Sequence, residues 1–257
     1  MLLKKIPYIM KVSIITVVWN NKDTIKDAID SVLNQSYEDV EYIIVDGAST
    51  DGTIEIINSY GDKISKFLSE KDSGLYDAMN KGISLATGDI IGILNSDDLY
   101  IDRNVLKKIV SIFREQKVNS VFADLVYVKP ENLNKVVRYY DSSKCFPQYF
   151  KYALYPAHPT FFVKKEIYEK FGYFKTDYKI AADFDIMARF LYTNKLSFYY
   201  FNEAIIKMRL GGVSTSLSSI WINSREQLRV CNENNIKTNI LNILLKYPSK
   251  VFGLLKR

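Results

Sequence analysis

The two adjacent carboxylates in Asn95-Ser-Asp97-Asp98 are the residues best suited by type and spacing to chemistry. Neighbouring acids repel each other, so a buried pair needs a compensating cation. Hard oxygen ligands suit Mg2+ or Mn2+, which also take diphosphate oxygens. The plainer alternative is a solvated pair capping the next helix. A second cluster, Asp46-Gly-Ala-Ser-Thr-Asp51-Gly52, packs two acids and two glycines into a strand-to-helix turn. Such a turn can present Asp46 to a base or ribose while main-chain N–H groups meet phosphate; Asp51 reads first as a helix cap. In Ala181-Ala-Asp183-Phe-Asp185-Ile-Met-Ala-Arg189, Asp183 shares a face with Ile186, Met187 and Phe190. Its carboxylate then sits at the mouth of a helix, as a general base or as an N-cap. Asp185 and Arg189 are spaced to pair with each other. His158, in Ala157-His-Pro-Thr160, either packs structurally or reaches a diphosphate.

Several kinds of chemistry are excluded. A single histidine in 257 residues rules out multi-histidine zinc centres and His-Glu-x-x-His peptidases within one chain. Cys145 and Cys231 cannot build a disulfide framework, which points to a reducing compartment. Trp19-Asn20-Asn21 follows the first strand where a dinucleotide site needs G-x-G-x-x-G, and neither a Walker A loop nor a G-x-S-x-G elbow occurs. The 19 Tyr and 14 Phe carry no RNA-recognition signature, so no nucleic-acid partner is expected.

The elements that must position these residues alternate between strand and helix. Val12 to Val18 and Val40 to Val45 are short β-branched runs of the kind buried in parallel sheets. Between them, Ile25, Ala28, Ile29, Val32 and Leu33 have helical spacing, with Asn20 or Asn21 as cap. A helix carrying Ile54, Ile56 and Ile57 follows, then a strand near Ile64 to Leu68. A further helix runs from Leu75 until Gly88 stops it, and a fourth strand spans Asp89 to Leu94. Each acidic cluster therefore stands at the carboxyl end of a strand or the start of a helix, where open parallel sheets bind ligands. The later half predicts strands over 120–128, 135–140, 196–201 and 205–210, and helices over 164–171, over 183–194 and from 216. The alternation implies a right-handed α/β sheet without a clear domain boundary.

Five segments together strongly resemble the family 2 glycosyltransferases, closest to the bacterial branch that builds capsule, exopolysaccharide and lipopolysaccharide. They are Ser13-Ile-Ile-Thr-Val-Val-Trp-Asn20, Ser31-Val-Leu-Asn-Gln-Ser36, Ile44-Val-Asp-Gly-Ala-Ser-Thr-Asp-Gly-Thr53, Ser69-Glu-Lys-Asp-Ser-Gly-Leu-Tyr-Asp-Ala-Met-Asn-Lys-Gly82 and Leu94-Asn-Ser-Asp-Asp98. The resemblance covers about residues 11 to 215. It implies a GT-A fold, a Rossmann-like nucleotide-diphospho-sugar transferase fold with a mostly parallel central sheet and helices on both faces. It also implies a nucleotide-diphospho-sugar donor, a UDP-sugar by expectation, a divalent Mn2+ or Mg2+ cofactor, and inversion at the anomeric centre. By the same resemblance, Thr16, Trp19, Asn20 and Asp46 serve the nucleotide, Lys71 and Asp72 border it, and Asp77 and Asn80 face the sugar. Asp97 and Asp98 match the metal motif beside Asn95, with Asp98 the direct ligand. Asp183 is the catalytic base, although Ala182 stands where the family has Glu. His158 and Arg209 are assigned to the donor, Arg209 within Arg209-Leu-Gly-Gly-Val-Ser214, which resembles a loop closing over the diphosphate.

The net charge of +6 is spread along the chain and favours anionic partners. No apolar run is long enough to span a bilayer, and Met1 to Met10 is too weak for a signal-peptide core. These features predict a cytoplasmic enzyme with a glycosyltransferase domain over 1–235 and a basic amphipathic segment over 236–257. That segment either lies on an anionic membrane surface, placing the protein peripherally on the inner face of the plasma membrane, or packs on the domain; Pro248 would kink it. The acceptor expected is a carbohydrate or a lipid-linked saccharide, within surface polysaccharide synthesis. Two other readings compete: a sugar nucleotidyltransferase, which would want a Gly-rich phosphate loop after the first strand, and a catalytically inactive carbohydrate- or membrane-surface-binding protein.

Overall fold

The computed structural model describes residues 9–211 and 217–245. The first half alternates as its periodicity predicts: β1 (Val12–Val18), α1 (Ile25–Leu33), β2 (Val40–Asp46), α2 (Thr53–Asn58), β3 (Lys66–Ser69), α3 (Leu75–Leu85) and β4 (Ile90–Ile93). Strands β3, β2, β1 and β4 lie side by side in that order, all parallel. Successive strands therefore step one way from β1 to β3 and then jump to the other side of β1. That reversal opens a crevice at the carboxyl ends of β1 and β4.

Residue alternation along the strands sorts the two faces. Ile15, Val17, Ile43 and Val45 enter one core with Met79 and Ile83 of α3. Val12, Ile14, Tyr42 and Ile44 enter the other with Ile25 and Ile29 of α1. A period-2 strand buried on both faces needs an apolar residue at nearly every position, which explains why β1 reads Val-Ser-Ile-Ile-Thr-Val-Val. Each fully buried Ile or Val contributes about 1.5–3 kcal/mol.

The later half adds β5 (Leu99–Tyr100), α4 (Val105–Gln116), β6 (Ser120–Lys129), β7 (Asn132–Tyr140), β8 (Phe162–Lys164), α5 (Lys165–Phe171), α6 (Ala182–Met187), β9 (Phe198–Arg209), α7 (Leu217–Glu233) and α8 (Ile240–Leu244). β8 bridges β4 and β6 antiparallel, whereas β9 runs parallel to β6. Helix α4 covers the face of α1, while α5, α6, α7 and α8 share the core of α3, so helices flank both faces.

Four local expectations need correction. Asn20 and Asn21 do not cap α1: Thr24 precedes it, and both asparagines are drawn into contacts between loops. Helix α3 ends at Leu85 rather than at Gly88, because the Glu41 carboxylate captures the Thr87 N–H and hydroxyl at 2.7 and 2.8 Å. The two strands expected over 196–210 are one, β9, interrupted by a bulge where Asn202 and Glu203 have no counterpart in β6. The helix expected over 183–194 is α6 followed by wider π turns at Ala188–Thr193.

Of the C-terminal segment, residues 236–245 pack on the domain: Ile236 and Ile243 are buried, while Leu241 and Leu245 face solvent. Its remainder, with Lys246, Pro248, Lys250, Val251, Phe252, Leu254, Leu255, Lys256 and Arg257, lies outside the described residues, as do Met1–Tyr8 and residues 212–216 of the expected closing loop. Among the described residues no helix is long and apolar enough to cross a membrane.

Candidate active site

Beyond β4 the chain makes a tight turn through Asn95-Ser-Asp97-Asp98, with the Asp98 N–H bonded to the Asn95 carbonyl at 3.1 Å. Asp98 is 1% exposed. Its Oδ2 accepts from Asn95 Nδ2 at 2.9 Å, and its Oδ1 finds no hydrogen-bond partner among the described residues. Burial first, then the neighbouring Asp97 carboxylate, push the Asp98 acid well above the usual range, against opposing pulls from Asn95 and Arg209. An ionised Asp98 therefore requires a cation beside it. Among the described residues no three His, Cys, Asp or Glu side chains converge into a metal cage. Two carboxylates completed by phosphate oxygens is the usual way Mg2+ is bound, and the residues present fit such an ion.

Arg209 takes a different part from the one expected. It is 7% exposed, donates to the Asp97 carbonyl at 2.5 Å and pairs with Asp27, so it clamps the acidic turn from the end of β9. Ser96 helps on the other flank. Its hydroxyl accepts from Asn21 and its carbonyl accepts from Thr24.

Asp46, at the end of β2, is fully buried. Its Oδ2 accepts from the Ser49 N–H at 2.9 Å and the Ser69 hydroxyl at 2.7 Å, leaving Oδ1 unpartnered among the described residues. Gly47 follows. A Cβ there would stand 2.6 Å from Asp72 Oδ2 and 3.4 Å from Trp19 Cδ1, so a side chain would force the Asp72 carboxylate to move aside. Trp19 is 68% exposed and offers a free ring beside the buried Asp46. Asn20, in the left-handed region at φ +47°, bonds Ser49 and Thr50 and stitches the β1 and β2 loops together. Asp72 Oδ1 accepts from the Gly74 N–H. Lys71 is exposed, and its carbonyl receives Lys81.

Three expected donor residues do other work. Thr16 is fully buried and accepts a bond from the Tyr42 hydroxyl. Asp77 binds the Ser73 N–H in the first turn of α3 and pairs with Lys81. Asn80 uses both ends of its amide on the backbone of Phe174, tying α3 to the approach to α6.

A cleft of about 370 Å³ lies alongside, and Asn95, His158 and Asp183 all line it. Asp183 sits in the first turn of α6, with Oδ1 accepting from the Phe184 N–H at 2.7 Å. His158 packs edge-on against Phe174, and burial lowers its pKa to about 4. The imidazole is thus neutral near pH 7 and brings no charge to a diphosphate. Asp185 pairs with Arg189 as its spacing predicts, and also with Lys175.

Sequence reasoning missed Glu226. Its carboxylate accepts the N–H groups of Lys179, Ile180 and Ala181 at 2.8, 2.8 and 2.9 Å, holding the strip that leads into Asp183. It stands on an ordinary amphipathic helix, and nothing local marks it.

The sequence and the fold have counterparts among known proteins. The family model described as Glycosyl transferase family 2 matches residues 13–175. An uncharacterized glycosyltransferase of Rickettsia typhi is 30% identical over 230 residues, 85% of this chain and 70% of its own length. The crystal structure of S. aureus TarS 1-349 in complex with UDP-GlcNAc has a TM-score of 0.68 at 17% identity, over 86% of this chain and 66% of that one. A mannosyltransferase from Pyrobaculum calidifontis in complex with GDP-Man and Mn2+ has a TM-score of 0.63 at 18% identity, over 97% and 82% of the two chains. At such identities the structural likeness is one of fold.

Proposed function

The chain belongs to glycosyl transferase family 2 and has the GT-A fold of a glycosyltransferase, and from that premise we propose that it moves a sugar from a UDP-sugar to an acceptor hydroxyl with inversion. The observation that carries this reading is the pair of buried carboxylate oxygens without a hydrogen-bond partner among the described residues, Asp46 Oδ1 at the end of β2 and Asp98 Oδ1 in the turn beyond β4, on two parallel strands of one sheet. A buried polar atom without a partner costs about 1–3 kcal/mol, which a ligand can return. Asp46 would accept an N–H of the nucleobase, with Trp19 and Asp72 beside it.

Asp97 and Asp98 would hold Mn2+ or Mg2+, whose Lewis-acid role is to offset charge growing on the departing diphosphate. Asp183 takes the proton of the acceptor hydroxyl, whose oxygen attacks the anomeric carbon from the face opposite the diphosphate. As that C–O bond forms, the bond from the anomeric carbon to the diphosphate oxygen breaks, and its electron pair leaves with UDP. A single base suffices for one displacement, and one displacement inverts. Arg209 keeps the acidic turn in register, and Glu226 does the same for the base.

The family resemblance supports a role in bacterial surface polysaccharide synthesis with a saccharide or lipid-linked saccharide acceptor. The basic residues of 236–257, with Leu241 and Leu245 exposed, support a place at the anionic inner face of the plasma membrane. The decisive experiment is a panel of UDP- and GDP-sugars scored by Mn2+-dependent thermal stabilisation. A UDP-sugar should raise the melting temperature in wild type and leave Asp98→Asn unmoved. Equal stabilisation of both proteins would remove the metal role, and no response to any nucleotide sugar would remove the donor.

A further inference from the structure

We propose that Asn223 and Gln227, one helical turn apart on α7, recognise the hydroxyls of an uncharged glycosyl acceptor, whose reacting end carries neither phosphate nor carboxylate. The inference rests on the transferase reading above and adds the chemistry of its second substrate. Both side chains line the cleft that holds Asp183, and its volume of about 370 Å³ falls among pockets that take small molecules. Residues spaced i, i+4 share one helix face, so the two amides reach the cleft together, while Glu226 turns to the strip before the base. One helix thus addresses both the acceptor and the group that deprotonates it.

The polar groups ask for hydroxyls. Asn223 Oδ1 is buried and has no hydrogen-bond partner among the described residues. Gln227 is 1% exposed, with Nε2 3.4 Å from the Tyr155 hydroxyl. A carboxamide offers a donor and an acceptor side by side, which matches vicinal hydroxyls, each of them also donor and acceptor. The rings of Tyr76, Tyr127, Tyr140 and Tyr155 supply apolar walls for the C–H faces of a pyranose.

The charge decides the class of acceptor. Among the described residues lining the cleft, Asp183 is the only acid, and none is Lys or Arg. His158 adds no cation there, since burial lowers its pKa to about 4. A phosphate or carboxylate at the reacting end would meet the base's own negative charge, with no Lys or Arg among the described lining residues to offset it. A neutral sugar meets no such penalty.

The test uses the full chain, a UDP-sugar donor and p-nitrophenyl hexopyranosides as acceptors, compared with the same glycosides bearing a 6-phosphate or a 6-carboxylate. Neutral glycosides should be used at least about tenfold better in kcat/KM. Asn223→Ala and Gln227→Leu should each raise the acceptor KM about tenfold, the effect of losing one buried hydrogen bond, with UDP affinity by calorimetry unchanged. Should Gln227→Leu fail to fold, the half-buried Asn223 decides alone. Preference for the anionic glycosides, or an unchanged acceptor KM in an enzyme that still transfers, would overturn the inference and spare the transferase reading. Absence of binding by every nucleotide sugar would sink both.

Discussion

Removing the Glu226 carboxylate should displace Asp183, the base proposed above, without touching the proposed donor site. In Glu226→Ala, three main-chain N–H groups at Lys179, Ile180 and Ala181 lose an ionised acceptor. Bonds to a charged group are worth about 1.5–3 kcal/mol each. Glu226 is only half-buried, so water replaces part of what is lost. The low end of the range applies, and the three bonds together give about 4.5 kcal/mol. These residues run directly into α6, and a base displaced by about 1 Å loses about 10²-fold in rate. Urea denaturation should therefore show a lower midpoint at unchanged slope. Steady-state kinetics should show kcat reduced about 10²-fold with UDP affinity preserved, because all three partners lie in the 179–181 strip. Glu226→Gln should fall between, since its carbonyl can replace only one of the two carboxylate oxygens. A Glu226→Ala protein with wild-type midpoint and kcat would refute the reasoning.

Asp183→Asn should keep wild-type calorimetric affinity for UDP yet lose about 10²–10⁴-fold in transfer, and retained turnover would dismiss it as the base. Gly47→Ala places a methyl 2.6 Å from Asp72 Oδ2 and must move that carboxylate; UDP binding should weaken about tenfold, and an unchanged Kd would rule Asp72 out of the nucleotide site. Burial alone would raise the Glu41 pKa, but bonds from Ser13 and Thr87 and the Lys66 ammonium outweigh it and hold it at about 2, below the ordinary 4.5. A depressed folded pKa means stability present above about pH 4.5 and lost as pH falls through about 2, worth about 3 kcal/mol. The stability gap between wild type and Glu41→Gln should accordingly shrink from pH 6 to pH 2.5 in urea titrations, and a constant gap would contradict the assignment.

How much of this was legible beforehand follows from the range over which each feature is determined. The parallel strands β1, β2 and β4 and helices α1 and α3 announce themselves because side-chain periods of 2 and 3.6 are local, and both faces of this sheet are buried. The place of Asp46, Asp97 and Asp98 just at or beyond strand ends was readable for the same reason: a strand's carboxyl end is fixed once the strand is. Thr16 and Asn80 share those motifs, yet their hydrogen bonds go to Tyr42 and Phe174.

What tertiary structure alone decided is which distant groups meet. Arg209 reaches Asp97 and Asp27 across the fold, and Glu226 finds the backbone before Asp183 from a separate helix. Asn223 and Gln227 enter the cleft only because α7 packs through Val230 and Cys231 into the core shared with α3 and α6. None of these pairings leaves a period or a spacing behind. A hydrogen bond between residues far apart in the chain constrains their separation in space, whereas sequence patterns record only what neighbours on one element must bury.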